Sequence, residues 1–140
     1  MTRFAFTVSA QAHYDAAHFL KNYDGKCRQL HGHRYVVEAA VQSTELDDSG
    51  IAFDFVDLKG ALRGIADELD HTNLNDLPQF QEVETSAENQ AKYFFEELGR
   101  RLPADIAEGL LYARVWESPT QWVQYGPADA PLPAPQAPTG

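Results

Sequence analysis

The sequence predicts an α+β domain with the element order ββααββ, and two patterns carry that prediction. Apolar residues alternate along segments near both ends of the chain, and they recur at helical spacing through the middle. We expect a four-stranded antiparallel sheet with both helices on one face, because hairpins favour antiparallel pairing and amphipathic helices need an apolar surface to cover. The opposite face would be solvated, or covered by subunits that associate edge to edge into a barrel.

The first two strands form a predicted hairpin with a long tip. Phe4, Phe6 and Val8 alternate with smaller or polar residues, and residues 35–41 form a second β-rich run. The two strands therefore flank a long loop, and this loop carries Cys27, the single cysteine of the chain.

Two amphipathic helices are predicted next, each from apolar residues at helical spacing. These residues are Leu58, Ala61, Leu62, Ile65, Ala66 and Leu69 in the first helix, and Ala91, Phe94, Phe95, Leu98 and Leu102 in the second. The second helix is expected to begin at Thr85-Ser-Ala-Glu88, which has the spacing of a capping box. In that motif a hydroxyl and a carboxylate satisfy the free amide donors of the first turn.

Residues 111–117 and 121–125 are the last two predicted strands, separated by the turn-prone segment 118–120. Beyond them the chain is rich in proline and alanine and has no burial pattern. We therefore predict one domain over residues 1–126, followed by a disordered tail over residues 127–140.

Composition narrows the classes of function. The 140 residues carry a formal net charge of -10, and no long basic run is present, which disfavours binding along a nucleic acid backbone. One cysteine cannot form an internal disulfide, and no stretch has the length and apolarity of a membrane span or a signal peptide. We expect a cytoplasmic protein whose partners are neither nucleic acid nor membrane.

A candidate metal site lies at the ends of the predicted hairpin. His31 and His33 are two residues apart and would face the same side of a strand, and His18 would close the first strand where His31 opens the second. His13 would lie further back and across the sheet, so it is left out of the site. Neutral imidazoles are the commonest protein ligands for zinc, so we favour a zinc site over three histidines that bind no metal.

Three histidine ligands leave a tetrahedral ion one open position, as in catalytic zinc sites. Cys27 decides between two interpretations of this site. If its sulfur binds the metal, the site is structural; if it stands apart, its thiolate can abstract a substrate proton while zinc polarises an oxygen. The residues alone leave both interpretations open.

Several short motifs together resemble the 6-pyruvoyl-tetrahydropterin synthase and 6-carboxy-tetrahydropterin synthase family over roughly residues 4 to 125. They are Ala16-Ala17-His18, Cys27-Arg-Gln-Leu-His31-Gly-His33-Arg-Tyr, Asp54-Phe55, Leu69-Asp70-His71 with Leu74-Asn75, the helix start Thr85-Ser-Ala-Glu-Asn, and Trp116-Glu117. The order and spacing of these motifs are specific. The resemblance implies the T-fold, a ββααββ unit whose subunits form barrels, commonly hexamers, with active sites at subunit boundaries.

The same resemblance assigns roles to individual residues. It implies that His18, His31 and His33 are zinc ligands and that Cys27 is the catalytic thiol. Asp70 and His71 match the family's proton-transfer pair, which typically reaches the site from a neighbouring subunit. Glu117 matches the carboxylate that anchors the pterin. Without the resemblance, Asp70-His71 is interpreted as a polar helix end and Glu117 as a glutamate at the end of a strand.

The function implied is that of a zinc-dependent lyase converting 7,8-dihydroneopterin triphosphate to 6-carboxy-5,6,7,8-tetrahydropterin, with release of acetaldehyde and triphosphate, as in queuosine biosynthesis. Two alternatives stay open: a 6-pyruvoyl-tetrahydropterin synthase, which eliminates triphosphate without losing carbon, and a noncatalytic pterin-binding module with structural zinc. The basic residues Lys21, Lys26, Arg28 and Arg34 are either triphosphate contacts or part of a solvated loop.

Overall fold

The computed structural model describes residues 2–130 and contains a five-stranded sheet with helices on one face. In chain order the elements are β1 (Phe6–His18), β2 (His31–Ser43), α1 (Phe55–Leu69), β3 (Thr72–Asn73), α2 (Ala87–Arg101), α3 (Ala104–Ala107), β4 (Leu110–Ser118) and β5 (Gln121–Tyr125). The α+β fold predicted from the sequence is confirmed. Residues 131–140 of the predicted tail lie outside the described residues.

The β1–β2 hairpin is the longest pairing in the sheet. It runs in unbroken antiparallel register from the pair Phe6 and Ser43 to the pair His18 and His31. Side chains alternate between the two faces of such a ladder, so Tyr14 and His18 of β1 lie on the face covered by helices. The hairpin therefore delivers its helix-side residues to one end of the domain.

Helices α1 and α2 pack against this face and form the core. Leu58, Leu62 and Ile65 of α1 and Phe94 and Leu98 of α2 are fully buried. Burial of one such side chain stabilises the fold by about 1.5–3 kcal/mol. The apolar residues that predicted the helices from their spacing are thus the residues that attach them to the sheet.

The predicted start of α2 is displaced by one residue. Ser86, not Thr85, is the N-cap, and its hydroxyl accepts a hydrogen bond from the Asn89 amide at 3.2 Å. The Thr85 hydroxyl instead donates to the Phe19 carbonyl, 3.1 Å away. Thr85 is therefore held by the chain that follows β1, a distant contact that the local capping pattern does not indicate.

The predicted sheet of four antiparallel strands is extended by a short parallel strand. The strand order is β3-β1-β2-β4-β5, and Thr72 and Asn73 pair with Ala16 and Ala17 in parallel. His71 has a left-handed φ of 58° and its amide donates to the Asp15 carbonyl, so the chain turns sharply after α1 and lies alongside β1. A strand of two residues has no hydrophobic period, so sequence patterning does not predict it.

The face of the sheet opposite the helices is polar and aromatic. The Arg114 guanidinium lies over the ring of Trp122, 4.1 Å from its centroid, and donates to the Gln124 side chain at 2.7 Å. Glu38 accepts a hydrogen bond from the Tyr112 hydroxyl at 2.6 Å. Among the described residues no helix is long and apolar enough to cross a membrane.

Candidate metal centre

Three imidazoles meet at the open end of the β1–β2 hairpin. His18 is paired directly with His31, and His33 lies two residues further along β2 on the same face. The ring centroids of His18 and His31 are 4.6 Å apart, and those of His31 and His33 are 4.9 Å apart. One nitrogen from each of the three rings lies within 4.8 Å of the others, so the three histidines could hold a metal ion.

Backbone carbonyls fix which nitrogen His18 and His31 offer to a metal ion. Nδ1 of His18 lies 2.7 Å from the Thr85 carbonyl oxygen, and Nδ1 of His31 lies 2.7 Å from the Gln29 carbonyl oxygen. A carbonyl only accepts, so each Nδ1 carries the proton and each Nε2 has a free lone pair. Histidines that bind metals commonly donate their other N–H to a carbonyl in this way.

Two buried nitrogens of the cluster lack hydrogen-bond partners among the described residues. Within residues 2–130, Nε2 of His18 and Nε2 of His33 are buried and accept no hydrogen bond. His18 as a whole is only 2% exposed. Buried polar atoms are nearly always satisfied in native proteins, so orphaned nitrogens that converge in this way fit a metal ion. We refer to His18, His31 and His33 as the histidine tripod.

Electrostatics favour the neutral form of His18 and His33. Burial lowers the pKa of His18, and the neighbouring His31 lowers it further. Burial also lowers the pKa of His33, although the negative charge of Glu117 opposes that shift. Only a neutral imidazole has the lone pair that binds a metal. By favouring the neutral form, the environment of these two rings also favours metal binding.

A polar cluster behind His18 holds the Thr85 segment against β1. The Asn75 side chain accepts from the Phe19 amide at 2.9 Å and donates to the Phe19 carbonyl at 3.1 Å. Oδ1 of Asn75 also lies 3.2 Å from the Thr85 hydroxyl, whose single hydrogen is shared between this oxygen and the Phe19 carbonyl. Sequence reasoning missed the supporting role of Asn75 and Thr85, because their contacts join segments far apart in the chain.

Cys27 lies in a single turn of 3-10 helix, Lys26–Arg28, at the tip of the hairpin. Its carbonyl accepts the Leu20 amide at 2.7 Å, which ties the two sides of the tip together. Its side chain is half-buried. Burial raises the pKa of Tyr35, and the nearby carboxylate of Glu117 raises it further. In the part of the chain that is described, the metal-binding group contains the three histidines without Cys27.

Glu117 lies beside the tripod. Its Oε1 is 3.2 Å from Nε2 of His33, a distance typical of an ion pair, but the angles are not those of a hydrogen bond. Both side chains are 26% exposed, so the carboxylate is open to solvent on one side. Glu117 follows the core residue Val115 by two positions in β4, so its side chain lies on the same face of the sheet.

Asp70 and His71 form a second group, which is not part of the metal-binding group found among the described residues. Nδ1 of His71 donates to Oδ2 of Asp70 at 2.7 Å, and Oδ1 of Asp70 accepts the Asp15 amide at 2.8 Å. The pair lies at the β1 edge near Arg34, whose guanidinium binds the Asp15 carboxylate at 2.9 and 3.0 Å. The His71 side chain is 78% exposed.

The two members of this pair stabilise each other's charge. The hydrogen bond to Asp70 raises the pKa of His71. The Asp15 amide and His71 together lower the pKa of Asp70. His13, left out of the site from its position in the sequence, is exposed and alternates with Tyr14 onto the other face of β1.

Comparison with known proteins decides the family. A family model described as 6-pyruvoyl tetrahydropterin synthase matches residues 7–128. The chain belongs to the 6-pyruvoyl tetrahydropterin synthase family. It is 31% identical to a 6-carboxy-5,6,7,8-tetrahydropterin synthase of Haemophilus influenzae, over 86% of this chain and 98% of the relative. It is 33% identical to a Bacillus subtilis protein of the same name, over 89% of this chain and 87% of the relative.

The fold of the family is also present. A structure of the Caenorhabditis elegans 6-pyruvoyl tetrahydropterin synthase superposes with a TM-score of 0.78 at 27% identity, covering 91% of this chain and all of the other. The T-fold expected from the sequence is thus confirmed. The relatives carry the names of two different pterin synthases, so family membership establishes the class of protein without choosing the product.

Proposed function

We propose that this protein is a zinc-dependent 6-carboxy-5,6,7,8-tetrahydropterin synthase of queuosine biosynthesis, acting on 7,8-dihydroneopterin triphosphate. The observation that carries the proposal is the histidine tripod, with its orphaned Nε2 atoms, in a chain whose relatives include proteins of that name. One water is consumed, and acetaldehyde and triphosphate leave. One carbon of the three-carbon side chain stays on the pterin as the carboxylate.

Three imidazoles suit zinc, and when bound the ion would act as a Lewis acid toward an oxygen of the substrate side chain. Cys27 would remove a carbon-bound proton from that side chain. A thiolate is suited to this role when it stands near the metal without binding it, and Cys27 lies outside the metal-binding group.

Asp70 and His71 would handle the complementary proton transfers. A carboxylate bonded to Nδ1 fixes the tautomer of an imidazole and stabilises its charged form, and this bond is present at 2.7 Å. Because the pair is exposed and is not part of the metal-binding group of its own chain, we propose that it serves the tripod of a neighbouring subunit in a homo-oligomer, of which a hexamer is the expected form.

Glu117 would anchor the pterin. A pterin ring presents an N–H and an exocyclic amino group side by side, and a carboxylate accepts such a donor pair through two hydrogen bonds. The solvent-open position of Glu117 next to His33 would place the ring beside the metal.

Basic residues at the hairpin tip would meet the triphosphate. Lys21, Lys26 and Arg28 are exposed there, whereas Arg34 already pairs with Asp15. We therefore assign the phosphate contacts to the first three. Replacing Lys26 and Arg28 together by Gln is expected to raise KM at low salt, and an unchanged KM would contradict this assignment.

Product analysis tests the proposal directly. The zinc-loaded protein is incubated with dihydroneopterin triphosphate, and the pterin and released fragments are identified by mass spectrometry. A 6-carboxypterin with acetaldehyde supports the proposal. A 6-pyruvoyl product without acetaldehyde would assign the protein to the second activity, which the similarity to the C. elegans synthase favours.

A Cys27→Ala variant tests whether the thiol is catalytic. We expect it to retain zinc and to lose about 100- to 10,000-fold in turnover, the range typical of a general acid or base. Loss of the metal would indicate a structural zinc. Stoichiometric pterin binding without turnover by the native protein would support a binding module instead.

Mixing two inactive variants tests the shared site. His18→Ala lacks a tripod ligand and His71→Asn lacks the proton-transfer group, and the two are co-expressed. If the groups come from different subunits, about a quarter of the sites in random oligomers contain both native groups and activity returns. If both groups act within one chain, every site stays defective and no activity returns.

A further inference from the structure

The Thr85 carbonyl, which orients His18, is itself held by a buried side chain. Gln90 of α2 is fully buried, and its Nε2 donates to the Thr85 carbonyl oxygen at 3.0 Å. The same oxygen accepts Nδ1–H of His18 at 2.7 Å, so each of its two lone pairs has a donor. Gln90 therefore reaches His18 through one shared atom.

Tyr14 fixes the orientation of the Gln90 amide. The Tyr14 hydroxyl lies 2.7 Å from Oε1 of Gln90. Because Nε2 of Gln90 must face the Thr85 carbonyl to donate, Oε1 faces Tyr14, and the hydroxyl is the donor of this bond. Burial raises the pKa of Tyr14 far above its usual range, so the hydroxyl keeps its proton. Tyr14 also stacks on Tyr35, with centroids 5.0 Å apart.

We infer that Gln90, held by Tyr14, is a positioning residue. It keeps His18 in the Nδ1–H tautomer and directs Nε2 of His18 toward the metal-binding nitrogens of His31 and His33. Without the Gln90 amide, the Thr85 carbonyl loses one of its two donors and the peptide plane can tilt. His18 can then turn its ring or exchange tautomers, and its Nε2 lone pair is no longer fixed. The inference deepens the proposed function, because it rests on the tripod being a metal site.

Two variants remove this support in different ways. Gln90→Met keeps the length of the side chain and removes both hydrogen bonds. Tyr14→Phe removes only the hydroxyl that orients the amide. We expect zinc affinity to fall about 3- to 10-fold, below the 10- to 100-fold typical of a group that contacts the metal ligand directly. Affinity is measured by competition with a chromogenic chelator.

Matched controls separate this role from ordinary core support. The Tyr93 hydroxyl donates to Oε1 of Glu68 at 2.7 Å, the same length as the Tyr14 bond, but between α1 and α2. Gln79 also donates to Glu68, at 3.4 Å. Tyr93→Phe and Gln79→Met remove hydrogen bonds from half-buried positions, so they should lower the free energy of unfolding while leaving zinc affinity unchanged.

The ¹⁵N chemical shifts of His18 in the metal-free protein report the tautomer without any ion. We expect Nδ1–H in the native protein and in both controls, and a mixture of tautomers in Gln90→Met and Tyr14→Phe. If Gln90→Met does not fold, Tyr14→Phe carries the test.

An unchanged tautomer and an unchanged zinc affinity in a folded test variant would overturn the inference, as would equal effects in the controls. Failure of the native protein to bind zinc would instead refute the proposed metal site, and the tautomer would still decide the role of Gln90.

Discussion

The histidine tripod and the Asp70–His71 pair lie at the same end of β1 but are held very differently. The tripod is built within one hairpin, and buried carbonyl contacts fix the ring of His18. His71 is largely exposed, and its contacts run along the edge of the sheet. One chain therefore brings together three histidines that could hold a metal ion but leaves the Asp70–His71 pair facing outward. This is the arrangement expected under the proposal that the pair serves another subunit.

Removing a tripod ligand should have the largest effect and should distinguish the tripod most clearly from the Asp70–His71 pair. His18→Ala should lower zinc affinity by more than about 100-fold, because it deletes a ligand rather than a group that orients one. Metal content after dialysis measures the effect. His13→Ala is the control, since His13 is exposed on the other face of β1 and should retain a full complement of metal.

Substitutions in the exposed Asp70–His71 pair should lower activity without loss of the metal. Asp70→Asn and His71→Asn should leave the metal in place and lower kcat by about 100- to 10,000-fold. Asn is chosen at position 71 because it tolerates the left-handed φ of 58°. Steady-state kinetics and metal analysis are run on the same samples. Loss of metal in either variant would mean that the two regions are not separate.

The pH dependence of His71 sharpens the comparison further. Since Asp70 raises the pKa of His71, the imidazolium should persist above the ordinary value of 6.5. The bond therefore contributes stability below that pH, and the contribution is lost as the pH rises through the folded pKa. An NMR titration should show a lower midpoint in Asp70→Asn, and an unchanged midpoint would indicate that the bond does not form in solution.

A variant of Glu68, which contacts Tyr93 and Arg101 and neither the tripod nor the Asp70–His71 pair, sets the baseline and should have the smallest effect. Partial burial of Glu68 disfavours its charge, but hydrogen bonds from Arg101 and Tyr93 outweigh burial and lower its pKa. Glu68→Gln should cost less than about 1 kcal/mol at neutral pH, because the pair is partly exposed. The difference in unfolding free energy between Glu68→Gln and the native protein should disappear as acid protonates Glu68 in the native fold. Zinc binding should stay unchanged. Urea denaturation at several pH values measures it.

The sequence predicted correctly the features that depend on the regular residue spacing of strands and helices. Two-residue spacing predicted that His31 and His33 share a face, and antiparallel pairing predicted that His18 would meet them. The helices followed from apolar residues at helical spacing. The motifs also indicated the family, which the family model confirmed over residues 7–128.

The features that the sequence did not predict depend on contacts between segments that are far apart in the chain. Thr85 matched a capping pattern, yet its hydroxyl binds Phe19 and its carbonyl binds His18. Gln90 interrupts the apolar face of α2 between Ala87 and Phe94, and that interruption was the available signal of a buried polar contact. Its partner Tyr14 is far away in the chain, so no local pattern connects the two.

His18 and His31 are directly paired in the β1–β2 hairpin, so retention of a metal ion would report whether the two strands have paired in the correct register. A slip of one residue would turn His31 and His33 to the other side of the sheet and leave His18 alone. A molecule with that error would lack the three-histidine group, so under the proposed function its metal content should distinguish it from a correctly folded chain before any reaction is assayed.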